Sequence, residues 1–170
     1  TTLFRSLEQG ADKPFFKVYF HNEKFGHAVG AYGMVMVTED GGENWIHRLE
    51  TVENDNFNHV YDFAPLTGTG KFFLAGEACL FLVADVSGGV DERGAKRVPS
   101  VPWEGSFVAS AAAADGSIVV GGLRGRMFRT TVAGMTWTVV EKPPTSSIVG
   151  STRLEKGNLV FVGIAGDVLL

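Results

Sequence analysis

The amino-acid sequence predicts an all-β chain, a β-propeller of antiparallel four-stranded blades with about four blades present. Three observations predict it. Small-residue turns recur at Gly30, Gly76, Gly122 and Gly163, which are 46, 46 and 41 residues apart, and a four-stranded blade repeats every ~40–50 residues. The same apolar strands flank each turn. No window of helical length holds a sustained 3.6-residue period, and a chain with 22 Gly against 6 Pro is turn-rich rather than helical.

The elements follow in order. A first strand is expected at Phe15–Phe20, His59–Phe63, Phe107–Ala111 and Ser147–Thr152. A second follows at His27–Val29, Lys71–Ala75, Ser117–Val120 and Asn158–Val162. After the glycine turn comes a third, at Met34–Thr38, Leu80–Ala84, Arg126–Thr130 and Val168–Leu170. A fourth closes three of the units, at Trp45–Leu49, Lys96–Val98 and Trp137–Glu141. Short connections between consecutive strands make each unit an antiparallel meander. Ala111–Ala114 imitates a helix but is too short and continues a strand. The units then read as blades over 12–52, 53–100 and 101–145, with an incomplete blade at 146–170. Residues 1–11 read as the last strand of a preceding or closing blade and its linker. Two arrangements follow from that strand: it completes the last blade of a four-bladed ring, or the chain is a segment of a larger propeller.

The most specific stretch is Val35–Trp45, where Thr38-x-Asp40-x-Gly42-x-x-Trp45 spans the third strand, a tight turn and the start of the fourth. Asp40 is placed to accept backbone N–H groups of the turn. Gly41 and Gly42 supply positive φ, and Trp45 brings a large apolar surface with one N–H in need of a partner. This is the Asp-box, or BNR, pattern. A single copy would be matched by any hairpin containing Asp-Gly; the repeats give it weight. In the third unit Thr130, Gly134 and Trp137 stand at the same offsets while Val132 replaces the aspartate. In the second unit only Asp85 survives.

Composition narrows the function classes. Net charge is −4, which gives no general affinity for nucleic acid. It divides unevenly: 12 acidic and 6 basic residues in 1–85 give −6, and 7 acidic and 9 basic in 86–170 give +2. Solvated loops account for such an asymmetry more readily than a charged partner does. Cys79 is the one cysteine, so neither an internal disulfide nor a cysteine metal site is expected; its apolar neighbours predict a buried, inert thiol. No apolar run approaches the ~18 residues that span a bilayer. His21, His27, His47 and His59 lack ligand spacing, the Asp40 turn lacks the residue series of a calcium loop, and Gly121-Gly122-x-x-Gly125 precedes a strand rather than a helix. No metal and no cofactor are expected.

With these residues in view a resemblance can be stated. Phe25–Gly33 followed by Thr38–Trp45, together with Trp103-Glu104-Gly105-Ser106-Phe107 and Gly122-Leu123-Arg124-Gly125, resembles the photosystem II assembly and stability factor-like family of BNR-repeat propellers, and within it the non-photosynthetic bacterial relatives. The resemblance implies about four blades of a seven-bladed propeller. It implies an exported, periplasmic setting and a non-catalytic scaffold that binds a protein partner, a membrane protein complex or an RND-type transporter. The alternative is a sialidase-like or other carbohydrate-active enzyme, since Asp-boxes occur there too. Such a site needs clustered arginines for a carboxylate and a Tyr nucleophile paired with an acid. Arg124, Arg126 and Arg129 are close in sequence, but strand alternation turns Arg126 and Arg129 to opposite faces, and Tyr19, Tyr32 and Tyr61 show no acid partner. Catalytic residues are therefore assigned to none. The candidate partner-binding residues are Arg124, a guanidinium fork on a turn, Arg126, and Trp103, which as an exposed aromatic could anchor a partner or else fill the space between blades. The charged stretch Asp91–Arg97 reads as a solvated loop.

Overall fold

The computed structural model describes residues 13–47, 52–85, 95–99 and 101–170. Their fifteen strands form four antiparallel sheets, each a meander in chain order. The first sheet holds β1 (Phe15–Phe20), β2 (Gly26–Gly30), β3 (Val35–Thr38) and β4 (Ile46–His47). The second holds β5 (Val60–Leu66), β6 (Lys71–Gly76), β7 (Phe81–Asp85) and β8 (Lys96–Arg97). The third holds β9 (Phe107–Ala112), β10 (Ile118–Gly122), β11 (Met127–Thr130) and β12 (Thr138–Val139). The last has three strands, β13 (Ile148–Arg153), β14 (Leu159–Gly163) and β15 (Val168–Leu169). The first strands pack in succession, β1 on β5, β5 on β9 and β9 on β13, so the sheets are propeller blades arranged about the line of those strands. The fourth strand of the third blade is shorter than the sequence suggests, and Trp45 and Trp137 lie just before β4 and β12. Residues 1–12, 48–51, 86–94 and 100 lie outside the described residues, and with them the expected strand at Thr1–Leu7 and most of the charged stretch.

The middle blades are apolar on both faces because each is packed between two others. Along β6, Phe72 and Leu74 join Val29, Val35 and Val60 in the core between the first two blades. The alternate residues, Phe73 and Ala75, join Phe107, Ile118, Val120 and Phe128 in the core between the second and third. A strand buried on both faces carries no polar alternation, which is why Phe72–Ala75 is a continuous apolar run. Between the third and fourth blades the core is Ala109, Ala111, Met127, Ile148 and Phe161.

The recurring glycines are fixed by close approach rather than by φ. Gly30, Gly76 and Gly122 are all extended, with φ of −165°, −154° and −149°. A Cβ on them would stand 2.4 Å from the Pro14 carbonyl oxygen, 2.2 Å from that of His59 and 2.3 Å from that of Ser106. Those carbonyls lie there because the residue after each glycine donates to them: Ala31 to Pro14, Glu77 to His59, Leu123 to Ser106. Each first strand also bulges at its second residue, Phe16, Tyr61, Val108 and Val149, where the pairing with the second strand skips one position.

The Asp-box closes as its residue types require. Thr38 Oγ1 donates to Asp40 Oδ1 at 2.9 Å and accepts from Gly42 N at 2.9 Å. Asn44 N donates to the same Asp40 oxygen at 2.9 Å, and the Trp45 indole donates to the Gly42 carbonyl at 3.2 Å. The Asn44 backbone N–H, then its side chain and Thr38, hold the Asp40 carboxyl at about 2, well below its ordinary value. Trp45 is half-buried, against Ala28, Met34 and Met36. In the third blade Thr130 still accepts from Gly134 N at 3.1 Å, but the Trp137 indole donates to Pro99 O instead and its ring stacks at 5.0 Å from Phe81. The box without its aspartate keeps the threonine–glycine bond, and its tryptophan packs on the core between the second and third blades.

Candidate partner-binding rim

Strand register decides which residues share an end of the molecule. The start of each first strand pairs with the end of the second: Phe15 with Gly30, Val60 with Gly76, Phe107 with Gly122, Ile148 with Gly163. One rim therefore carries the glycine turns and the chain just before each first strand. The opposite rim carries the hairpins between first and second strands and the Asp-boxes.

On the glycine-turn rim the turns hold non-glycine residues in the left-handed region at their tips, Tyr32 (φ 55°), Ala78 (φ 49°) and Arg124 (φ 57°). The tip N–H is spent on the neighbouring blade: Tyr32 N donates to His59 Nδ1 at 2.8 Å and Arg124 N to Ser147 Oγ at 3.0 Å. The side chains project outward. Tyr32 is 55% exposed, and the Arg124 guanidinium has no hydrogen bond or ion pair among the described residues.

Two of the three candidates from the sequence come together here. The Arg126 guanidinium lies 4.4 Å from the Trp103 ring centroid, a cation–π stack. Trp103 is half-buried, with its inner edge on the core shared by the second and third blades, so it is neither a free anchor nor a core plug. Its loop is tied down by Cys79, whose N–H donates to Gly105 O at 2.8 Å and whose thiol donates to Trp103 O at 2.7 Å. Burial pushes that thiol's pKa up, which keeps it protonated and able to donate. Arg124 stands two residues away at the turn tip. Arg129 is elsewhere: it binds Asp115 at 3.2 Å and Ser117 at 3.3 Å, in the hairpin of the opposite rim.

The first two blades add a cluster that sequence reasoning missed. Phe16 lies 5.2 Å from Tyr61, Tyr32 lies 5.1 Å from His59, and His59 lies 5.9 Å from Tyr61. Phe16 is 42% exposed, as is most of β1, and sits at the bulge where the pairing with β2 skips one position. Lys13 Nζ lies 5.9 Å from the Tyr32 ring centroid. Burial and the nearby Glu77 push the Tyr61 phenol up, the reverse of what a nucleophilic tyrosine needs. The available signal was position: Tyr32 occupies the turn place that Arg124 occupies in the third blade.

The arrangement is a surface of exposed and half-buried aromatics with the Arg124 guanidinium, unpaired among the described residues, at its edge. Trp, Tyr and Arg in such settings carry most of the free energy of protein–protein contacts. Among the described residues no three His, Cys, Asp or Glu side chains come close enough to hold a metal ion, and no helix is long and apolar enough to cross a membrane.

The family model described as photosynthesis system II assembly factor YCF48 matches residues 2–170. The chain belongs to the YCF48 family. Comparison with curated proteins finds no match. Among solved structures, YCF48 bound to a D1 peptide is similar with a TM-score of 0.69 at 22% identity, over 89% of this chain and 49% of that one. YCF48 from Cyanidioschyzon merolae gives a TM-score of 0.67 at 19% identity, over 93% and 53%. The computationally designed Ika4 protein gives 0.68 at 13% identity, over 96% and 93%. At these identities the likeness establishes the fold. The chain spans about half the length of the two YCF48 structures.

Proposed function

We propose that this YCF48-family chain is a non-catalytic scaffold that binds a segment of a protein partner on its glycine-turn rim, as an assembly or accessory factor for a membrane protein complex. The observation that carries the reading is the Trp103–Arg126 stack beside the Arg124 guanidinium, unpaired among the described residues, on a rim whose first blade exposes Phe16 and Tyr32. Aromatic faces offer area at low entropic cost, and two guanidinium groups favour an acidic or carboxylate-bearing segment. That one YCF48 is known bound to a D1 peptide supports a peptide as the ligand class. An exported, periplasmic setting belongs to the same proposal and rests on the resemblance. An RND-type transporter, the narrower expectation, has no residue here that speaks for it in particular.

A photo-crosslinking amino acid at position 32 or 123, in the full-length protein in its own cells, tests the proposal. The same group at 69 or 116, in the hairpins of the opposite rim, is the control. One membrane protein captured from 32 and 123 and not from 69 and 116 is the expected result. Equal capture from both rims, or capture from the hairpins alone, would overturn the assignment. Reversal of charge at Arg124, whose guanidinium has no partner among the described residues, should abolish the crosslink while leaving the unfolding midpoint unchanged.

A further inference from the structure

We propose a second binding site, a carboxylate pocket on the propeller axis, at the opposite end from the glycine-turn rim. All four first strands meet there around a cavity of about 390 Å³, with Lys17 and Tyr19 from β1, Phe63 and Pro65 from β5, Ser110 from β9, and Ser151 and Arg153 from β13. That volume lies within the ~300–1,000 Å³ usual for ligand sites.

The floor is a closed polar network. Asp62 is buried, and its Oδ1 faces the Lys17 ammonium at 2.8 Å. Its Oδ2 accepts from Ser110 N at 2.6 Å and Ser110 Oγ at 3.3 Å, and the Ser151 hydroxyl, 3.4 Å away, gives its one hydrogen to the Ser110 carbonyl at 2.7 Å. Lys17 and Asp62 neutralise each other, although Asp62 Oδ1 takes no hydrogen bond beyond that ion pair, so the floor has no net charge to offer. The mouth differs. Arg153 reaches from the fourth blade to the hairpin of the second, where its guanidinium donates to the Thr67 hydroxyl. That partner is neutral. Arg153 makes no ion pair among the described residues, so one whole positive charge stands at the mouth of a cavity whose other charges cancel. A guanidinium held by one hydroxyl keeps N–H donors in the fork that fits a carboxylate's two oxygens. Tyr19, Phe63 and Pro65 provide apolar wall for the carbon skeleton behind it. A single cation with no helix N-terminus beside it suits a carboxylate better than a phosphate. The shared chemistry is a carboxylate on a short apolar body, either a peptide C-terminus or a free organic acid. The inference stands apart from the proposed rim, since neither site uses a residue of the other.

The test is an NMR titration of the protein, followed at the Arg153 side-chain Nε–H and the Ser151 amide. The probes are acetyl-Ala-Ala-Leu with a free C-terminal carboxylate, the same peptide amidated, and succinate. The acid should shift both resonances, the amide should bind about tenfold more weakly or not at all, and R153Q should lose about tenfold in affinity while R124Q loses none. Peptide acid binding tighter than succinate assigns the pocket to chain ends, and the reverse assigns it to free acids. Equal binding of acid and amide, unchanged affinity in R153Q, or no shift by any probe at millimolar concentration would overturn the site.

Discussion

Replacing Asp62 by alanine should weaken the fold by about 2–3 kcal/mol, and the value can be worked from its contacts. The carboxylate joins the second blade to the third through Ser110 N at 2.6 Å, to the fourth through Ser151 Oγ, and to the first through Lys17. Removing a charged acceptor from a buried N–H costs about 1.5–3 kcal/mol. Lys17 adds little to that, because its side chain is 36% exposed and can turn its ammonium to water. The Ser151 hydroxyl also adds little, since it already donates to the Ser110 carbonyl at 2.7 Å. The total falls below the ~3–5 kcal/mol of a stranded buried charge. Asp62→Asn keeps an acceptor for Ser110 N and should cost about 1 kcal/mol. Urea unfolding followed by tryptophan fluorescence reads this directly, as a fall in midpoint of roughly 1 M for Asp62→Ala. The reasoning fails if Asp62→Ala lies within about 0.5 kcal/mol of the parent, or if Asp62→Asn costs as much as Asp62→Ala.

Three further outcomes are expected. Thr38→Val keeps the shape of a fully buried side chain but leaves Gly42 N without its acceptor, for a loss of about 1–3 kcal/mol; an unchanged urea midpoint would show that the Asp-box threonine is dispensable. His27 is buried and accepts or donates across 2.9 Å to His21; burial first, then His21, lowers its pKa to about 4 from an ordinary 6.5. The unfolded chain therefore binds the proton more readily, so stability is full above pH 6.5 and falls as pH drops from there to about 4, by about 3 kcal/mol. His27→Phe, the residue type at the same place in the second blade (Phe73), should flatten that limb of the pH–stability curve, and an equally steep limb would shift the cause to another group. Gly122→Ala brings a Cβ to 2.3 Å from the Ser106 carbonyl oxygen and should cost about 1–3 kcal/mol as backbone overpacking; a neutral thermal shift would mean that the turn has room to move.

Much of the fold was legible because a propeller repeats its own constraints. Gly30, Gly76 and Gly122 each answer to the equivalent carbonyl in their own blade, so the spacing survives where the surrounding side chains drift. Thr38, Asp40, Gly42 and Trp45 act within eight residues of each other, and a local turn can be read locally. The contacts between blades were not legible in the same way. Lys17 and Asp62 are 45 residues apart in sequence and each looks like an ordinary charge on a strand; only the bulge beside each brings the pair onto the axis. The bulge itself leaves no composition signal, since Phe16, Tyr61, Val108 and Val149 share no side-chain property beyond being apolar. Of the rim residues, Arg126 and Trp103 were named separately from the turn and from the Trp-Glu-Gly phrase. Their stacking needed the loop that Cys79 holds, and the sequence reads that cysteine only as buried.

The turn tips connect the fold to the proposed binding role. The glycine two residues before each tip is imposed by packing, but the tip is not: at Tyr32 and Arg124 the N–H points into the next blade and the side chain projects outward. A left-handed backbone there favours glycine or asparagine, and any other residue holds strain of order 1 kcal/mol. Tyr32 and Arg124 accept that strain, and their side chains add no hydrogen bond that joins the strands of their blades. A stability argument alone would place glycine at both positions. The strain is explained if these side chains act on something outside the blade, and the two residue types are those that carry the most contact free energy per side chain at protein interfaces. Ala78 at the equivalent tip of the second blade leaves room between them, so a bound segment can run from Tyr32 to the Trp103–Arg126 stack without crossing a side chain that projects from the turn.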